Sequence, residues 1–267
     1  TIILAQKEGR LMAKVNRKAL RHKLEAYKRS PQSLVLYLLV VVATVLTIGI
    51  LLYLIGYILI TGIPHITPDL FAWQYTTANV SLMPALINTV LMTFIALLIA
   101  APVGIFSAIY LVEYAKRGNK FVGVIWLTTE TLSGIPSIVY GLFGLLFFVT
   151  TLGWGMSLLA GAFTLAIMIL PLIIRTSEEA LKAVPDSYRE GSFGLGAGKL
   201  RTVFRIVLPS AMPGILAGII LAVGRIVGES AALIYAAGTV AEIPRGRDFL
   251  FDSTRTLSVH MYALASE

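Results

Sequence analysis

The 267-residue chain contains no cysteine, which excludes disulfides and every thiolate-bound metal site. Charge is also scarce. Asp, Glu, Lys and Arg together make up 13% of the residues, about half the share of a soluble domain. Hydrophobic residues make up 57% and the mean hydropathy is +0.83. That balance points to an integral membrane protein rather than a water-soluble enzyme. No H-E-x-x-H motif is present, and His22, His65 and His260 stand far apart in the chain. A metal site or a catalytic dyad built from them is therefore not expected.

Apolar runs mark five spans at 34–60, 84–112, 121–150, 157–174 and 206–238; the third carries one charge, Glu130, and the fifth is interrupted by Arg225 and Glu229. The first, 27 residues long, reaches about 40 Å as a helix at about 1.5 Å per residue, enough to cross with tilt. Pro171 is expected to kink or end the fourth span near Arg175. Lys and Arg alternate by loop: nine in 1–33, three in 116–120 and six in 175–205, against none in 61–80 or 150–156 and three in 239–267. Alternate basic loops place the N-terminus on the cytoplasmic side. The net charge of +8 is thus a matter of topology, and nucleic acid is not an expected partner. Five crossings would leave the last residue outside, so a sixth span is expected beyond residue 267.

The fold expected is an all-α integral membrane protein, a multi-span helical bundle over 34–267 with a cytoplasmic loop at 175–205. Residues 1–33 form a basic segment ahead of it, with no apolar signal-peptide core. Within it, Leu11, Val15, Leu20, Leu24 and Tyr27 recur at helical spacing among basic residues, as in an amphipathic helix on the inner membrane surface. On the other side, Pro64, Pro68, Trp73 and Tyr75 suggest an interfacial loop. Arg245, Arg247, Asp248 and Asp252 offer either a surface for an external binding protein or a solvated loop.

The 188–200 stretch, YREGSFGLGAGKL, breaks the apolar pattern. Ser187 and Glu190 have the S-x-x-E spacing of a capping box, and Gly196 suits a left-handed helix stop. A short stiff helix in a cytoplasmic loop implies a docking partner. GAGKL is not a phosphate-binding loop, because G-x-x-x-x-G-K-[ST] needs Gly and Ser or Thr where Phe193 and Leu200 stand. Any ATP must be hydrolysed by another polypeptide.

Arg225 and Glu229, four apart in the fifth span, are expected on one helix face. Each costs about 2.5–3.5 kcal/mol at membrane depth on insertion scales. They read either as an intrahelical ion pair or as an anion station in which Arg225 offers a fork of donors. Glu229 would then balance Arg225 and accept a hydrogen bond from a protonated oxyanion. Gly224 and Gly228 permit a close neighbouring backbone or local unwinding. Glu130, Ser133 and Ser230 complete the candidate pathway. Thr129, Ser133 and Ser137 offer hydroxyls, with back-bonding to their own helix as the alternative.

Glu190, Gly196, Ile206 and Leu208-Pro209 resemble the EAA loop of ABC importer permeases, with Glu190-Gly191-Ser192 where that pattern has Glu-Ala-Ala. LSGIPSIVYGLFG (132–144), EALKAVPDSYREGS (179–192), residues 209–238 and TLSVHMY (256–262) resemble the PstA-type permeases of phosphate ABC importers. The resemblance implies that Ser187, Tyr188, Arg189, Glu190, Gly191, Ser192 and Gly196 belong to a coupling helix docked on an ATPase. It further implies a second homologous permease, two ATPase subunits that bind ATP and Mg, and an extracytoplasmic phosphate-binding protein. The chain itself would hold no cofactor and would lie in a bacterial or archaeal plasma membrane. Sulfate and molybdate permeases resemble it around Arg-x-x-Gly-Glu as well, so those residues imply an oxyanion rather than phosphate alone.

Overall fold

The computed structural model describes residues 31–115 and 120–266. The expected amphipathic helix within residues 1–30 lies outside the described residues. Among those described, the regular structure is helical throughout, without a strand. Two compact units divide the chain after Ile66.

The first unit holds α1, Pro31–Gly62. The helix contains no charged residue, and a mean hydropathy of 2.9 over its most apolar 18 residues makes it long and apolar enough to cross a membrane. Thr44 and Thr47 donate their hydroxyls to the carbonyls of Val40 and Ala43 at 2.8 Å, so neither presents a bare polar group to lipid.

The second unit runs from α2 (Met83–Ile109), extended by a π-helical turn at Tyr110–Tyr114, through α3 (Lys120–Ser133) and α4 (Ser137–Gly144) to α5 (Leu158–Lys182). A short helix α6 (Asp186–Gly194) follows. Then α7 (Lys199–Thr202) passes through a π-helical turn, Val203–Val207, into α8 (Leu208–Val227). Two short helices close the unit, α9 (Ala231–Ala236) and α10 (Leu257–Ser266). Helix α5 is the centre: 67% of its apolar window is buried, against 28% for α2 and for the α7–α8 rod. It packs on α2 and α8 through Met92, Leu165, Met168, Ile169 and Ile173. Small residues let the backbones approach, as membrane helices require. A Cβ added at Gly104 would meet Ile173 Cγ2 at 2.7 Å, and one at Gly214 would meet Ala180 Cβ at 2.7 Å.

Three expected spans are corrected. The third is not one helix: it bends by 103° between α3 and α4. Pro136 has no N–H, and the backbone ahead of it tightens, with Gly134 N–H on Thr131 and Ile135 N–H on Leu132, both at 3.2 Å. Tyr140 Oη donates to the same Leu132 carbonyl at 2.7 Å, a second bond that ties α4 back to the end of α3. The fourth does not end near Arg175: Pro171 is buried inside α5, which continues to Lys182. The pairs Arg175–Glu179 and Glu178–Lys182, at 3.3 and 2.5 Å, support the added turns. The expected loop at 175–205 therefore starts as helix. The fifth stops at Val227, well short of residue 238.

Candidate functional site

Arg225 occupies the last turn of α8, where a cation meets the negative end of the helix dipole. It lines a cavity of about 460 Å³ together with Glu130 and Ser133 of α3 and Arg175, Thr176 and Glu179 of α5. The structure thus gathers Arg225, Glu130 and Ser133 from the expected pathway set. Sequence reasoning counted Arg175 as a loop cation, and only the extension of α5 brings it to this wall.

Glu229 and Ser230 are not part of that lining. Helix α8 closes at Gly228, so four-residue spacing no longer implies a shared face. Glu229 stands in the break before α9, and its Oε1 accepts the Ala232 N–H at 3.1 Å. This satisfies a free donor at the start of α9. Among the described residues no ion pair joins Arg225 to Glu229. Among the described residues no neighbour packs closely on the flanking glycines. Nothing would touch a Cβ at Gly224, and a Cβ at Gly228 would meet only the Gly224 carbonyl, so the two glycines accompany local unwinding. Ser258 Oγ donates to the freed Gly228 carbonyl at 3.2 Å.

The hydroxyls on α3 are spent. Thr129 donates to Ile125 at 2.8 Å and Ser133 to Glu130 at 2.7 Å, both backbone carbonyls. A hydroxyl has one proton to give, so the cationic donors of the cavity, the Arg225 and Arg175 guanidinium groups, are the ones suited to an anion.

The second element is α6. Its N-cap is Pro185 without a side-chain cap bond. Ser187 lies inside the first turn, so the expected capping box does not form; Asp186 supplies the first-turn carboxylate instead. The C-terminus follows expectation. Gly196 has φ +81°, its N–H reaches Phe193 O at 2.9 Å, and the Ala197 N–H reaches Ser192 O at 3.1 Å. These are the paired bonds of a Schellman stop.

Arg189 faces inward from α6. Its Nη2 and Nε reach Glu113 Oε1 at 2.7 and 3.1 Å. Nη1 donates to Val184 O and Asp186 Oδ1 at 2.8 and 3.1 Å, and Nη2 donates to Leu181 O at 3.0 Å. Ser192 is buried, with its Oγ 2.8 Å from Thr202 Oγ1. The opposite side is open: Tyr188, Phe193 and Leu195 are exposed, as are Glu190 and Gly191. A second cavity of about 510 Å³, lined by Glu113, Asp186, Arg189 and Lys182, shares Leu111, Trp126 and Glu178 with the Arg225 cavity. The two adjoin and lead from Arg225 to α6. Glu113 had no signal in the sequence beyond its charge at the end of an apolar run.

On the far loops, Trp73, Tyr75, Glu242, Arg245 and Asp252 line a cavity of about 560 Å³. Arg255 is buried behind it, 4.9 Å from the Tyr75 ring centre, and His260 meets the same ring edge-on at 5.6 Å.

Residues 100–265 match the family described as binding-protein-dependent transport system inner membrane component. The chain is 39% identical over 197 residues to the probable ABC transporter permease protein YqgI of Bacillus subtilis, covering 71% of this chain and 65% of that one. It is 42% identical over 154 residues to the phosphate transport system permease protein PstA 1 of Mycobacterium tuberculosis, covering 58% of this chain and 50% of that one. It therefore spans about half to two thirds of the length of these relatives. A solved structure of the MetNI methionine ABC transporter in an inward-facing conformation is similar at a TM-score of 0.51 and 22% identity. That match covers 69% of this chain and 85% of the other and speaks to the fold.

Proposed function

The chain belongs to the family of binding-protein-dependent transport system inner membrane components, and on that premise we propose that it is the membrane-spanning permease subunit of an ATP-driven importer of inorganic phosphate. The observation that carries this reading is α6, a helix pinned on its inner side by Arg189 and open on its outer side through Tyr188, Phe193 and Leu195. Exposed aromatic and aliphatic side chains beside Glu190 suit a groove on a partner protein. That partner is an ATPase subunit, two per complex, which holds ATP and Mg. This chain contributes no nucleotide site, since Phe193 and Leu200 interrupt the phosphate-loop pattern.

Closure of the ATPases would pull α6 and swing the helices behind it between inward- and outward-open states. Arg225 is the anion's station, its guanidinium fork matched to tetrahedral oxygens. Glu130, on the wall of the same cavity, accepts the P–OH of hydrogenphosphate, a proton that sulfate lacks. A second, homologous permease completes the pathway. An extracytoplasmic phosphate-binding protein docks on the 239–256 side, near Arg245 and Asp252. Basic loops place α6 and the N-terminus in the cytoplasm of a bacterial or archaeal cell.

Support for phosphate comes from the PstA relatives and from the cavity cation. The test is phosphate uptake in phosphate-starved cells lacking the protein and complemented with its full-length form, with sulfate and molybdate as competitors. Restored uptake indifferent to both competitors supports phosphate. A chain that reaches the membrane with its partners and restores no phosphate uptake transports another oxyanion.

A further inference from the structure

We infer that Glu113 is the positioning residue of the coupling helix, acting through Arg189 to make α6 move as one body with the transmembrane helices. The inference rests on the reading of α6 as the ATPase-docking element. The Arg189 guanidinium carries five N–H donors, and all five are engaged: two by Glu113 Oε1 and one each by Leu181 O, Val184 O and Asp186 Oδ1. Leu181 lies in the last turn of α5, where its carbonyl takes only a long 3.4 Å bond from the Val184 N–H, and Val184 lies just beyond the helix; acceptors at a helix end have capacity to spare for a side-chain donor. One planar group therefore joins α6, the end of α5 and the end of α2. Lysine, with a compact three-donor ammonium, cannot reproduce that set.

Glu113 is the member that is distant in the chain, 76 residues from Arg189. It sits in the π-helical turn Tyr110–Tyr114, a local departure from the α-helix of a kind often found at functional positions. Its side chain is 7% exposed and that of Arg189 15%, so water screens the pair little. Beside them lies the cavity of about 510 Å³ lined by Glu113, Asp186 and Arg189. This is open space into which α6 could tip once the pair is cut. The other end of α6 is tied by Ser192 to Thr202 at 2.8 Å, and Thr202 leads directly into the rod that carries Arg225. With both ties in place, a pull on α6 reaches α2, α5 and the Arg225 helix. With Glu113 neutralised, part of that pull is lost in rotation of α6.

The experiment uses the complete transporter, with both permeases, the ATPases and the binding protein, reconstituted in liposomes and assayed with inorganic phosphate. Glu113→Gln is expected to assemble and hydrolyse ATP while phosphate moved per ATP falls about tenfold, within the range that substitutions along a coupled network produce. Glu113→Asp keeps the charge and restores most of the ratio. Because these 267 residues contain no cysteine, the pair Glu113→Cys and Arg189→Cys offers a second measurement, made with partner subunits whose own cysteines have been replaced. Reduced, it is uncoupled; bridged by a short bifunctional thiosulfonate linker, it recovers transport. An unchanged ratio in Glu113→Gln, or a bridged pair that stays uncoupled, overturns the inference. The wild-type control separates the two readings. A wild-type chain that binds no ATPase refutes the transporter function and the inference with it, whereas a working wild type with an unaltered Glu113→Gln ratio refutes the inference alone.

Discussion

The carboxylate of Glu229 accepts the backbone N–H of Ala232 at 3.1 Å, which commits it to the start of α9 and leaves the cavity of Arg225 to another acid. Glu130 lines that cavity beside Glu178 and Glu179 of α5 and is the acid proposed for the role. Two substitutions separate their roles. Glu130→Gln is expected to narrow the preference for phosphate over sulfate in competition assays. Glu229→Gln, which keeps an acceptor for Ala232, should leave that preference unchanged and cost at most about 1 kcal/mol of stability. The reverse pattern would return the selectivity role to Glu229.

Arg225→Ala should lower phosphate transport roughly 100-fold, the factor for about 2.7 kcal/mol of lost charge-assisted hydrogen bonding. Arg225→Lys should retain part of it, having charge without the planar fork. Both should reach the membrane in normal amount, since no ion pair among the described residues depends on Arg225. Uptake normalised to membrane-extracted protein decides the matter.

Phe193→Ala and Leu195→Ala remove side chains that are 47% and 91% exposed. Alone, the chain should keep its stability within about 0.5 kcal/mol. Retention of the ATPase in detergent should nevertheless weaken about tenfold for the pair, as expected for apolar contacts at an interface centre. Unchanged co-purification would mean that this face docks nothing.

Gly196→Ala forces a side chain onto φ +81°, at a strain of about 1–2 kcal/mol. A lowered melting temperature in detergent is expected, smaller for Gly196→Asn because Asn tolerates the left-handed region. Equal melting temperatures for wild type and Gly196→Ala would show that the end of α6 relaxes freely.

The first two spans were legible because no charge interrupts them: a long apolar run has one way to satisfy its backbone in lipid, and the second keeps its helix even across Pro102. The third was misjudged at Gly134-Ile135-Pro136. There hydropathy stays high while the chain turns through 103°, and apolar composition carries no information on direction. Pro171 erred the other way, since a proline buried between packed helices is tolerated where a lone helix would break. Ser187 and Glu190 matched a capping pattern that the helix bypassed by starting at Asp186.

Composition and local chemistry by themselves determined that this chain is built to span a bilayer and that Gly196 ends a short helix. Those properties depend on transfer from water and on backbone angles, which neighbouring residues settle among themselves. Only the tertiary structure decided which charges meet. Arg225 shares a cavity with Glu130 and Arg175 rather than a helix face with Glu229, and Arg189 binds Glu113 across 76 residues. A hydrogen-bonded charge pair needs its two groups within about 4 Å of each other. The partners are therefore set by where helices stop and which ones pack together, and spacing along the chain does not encode that.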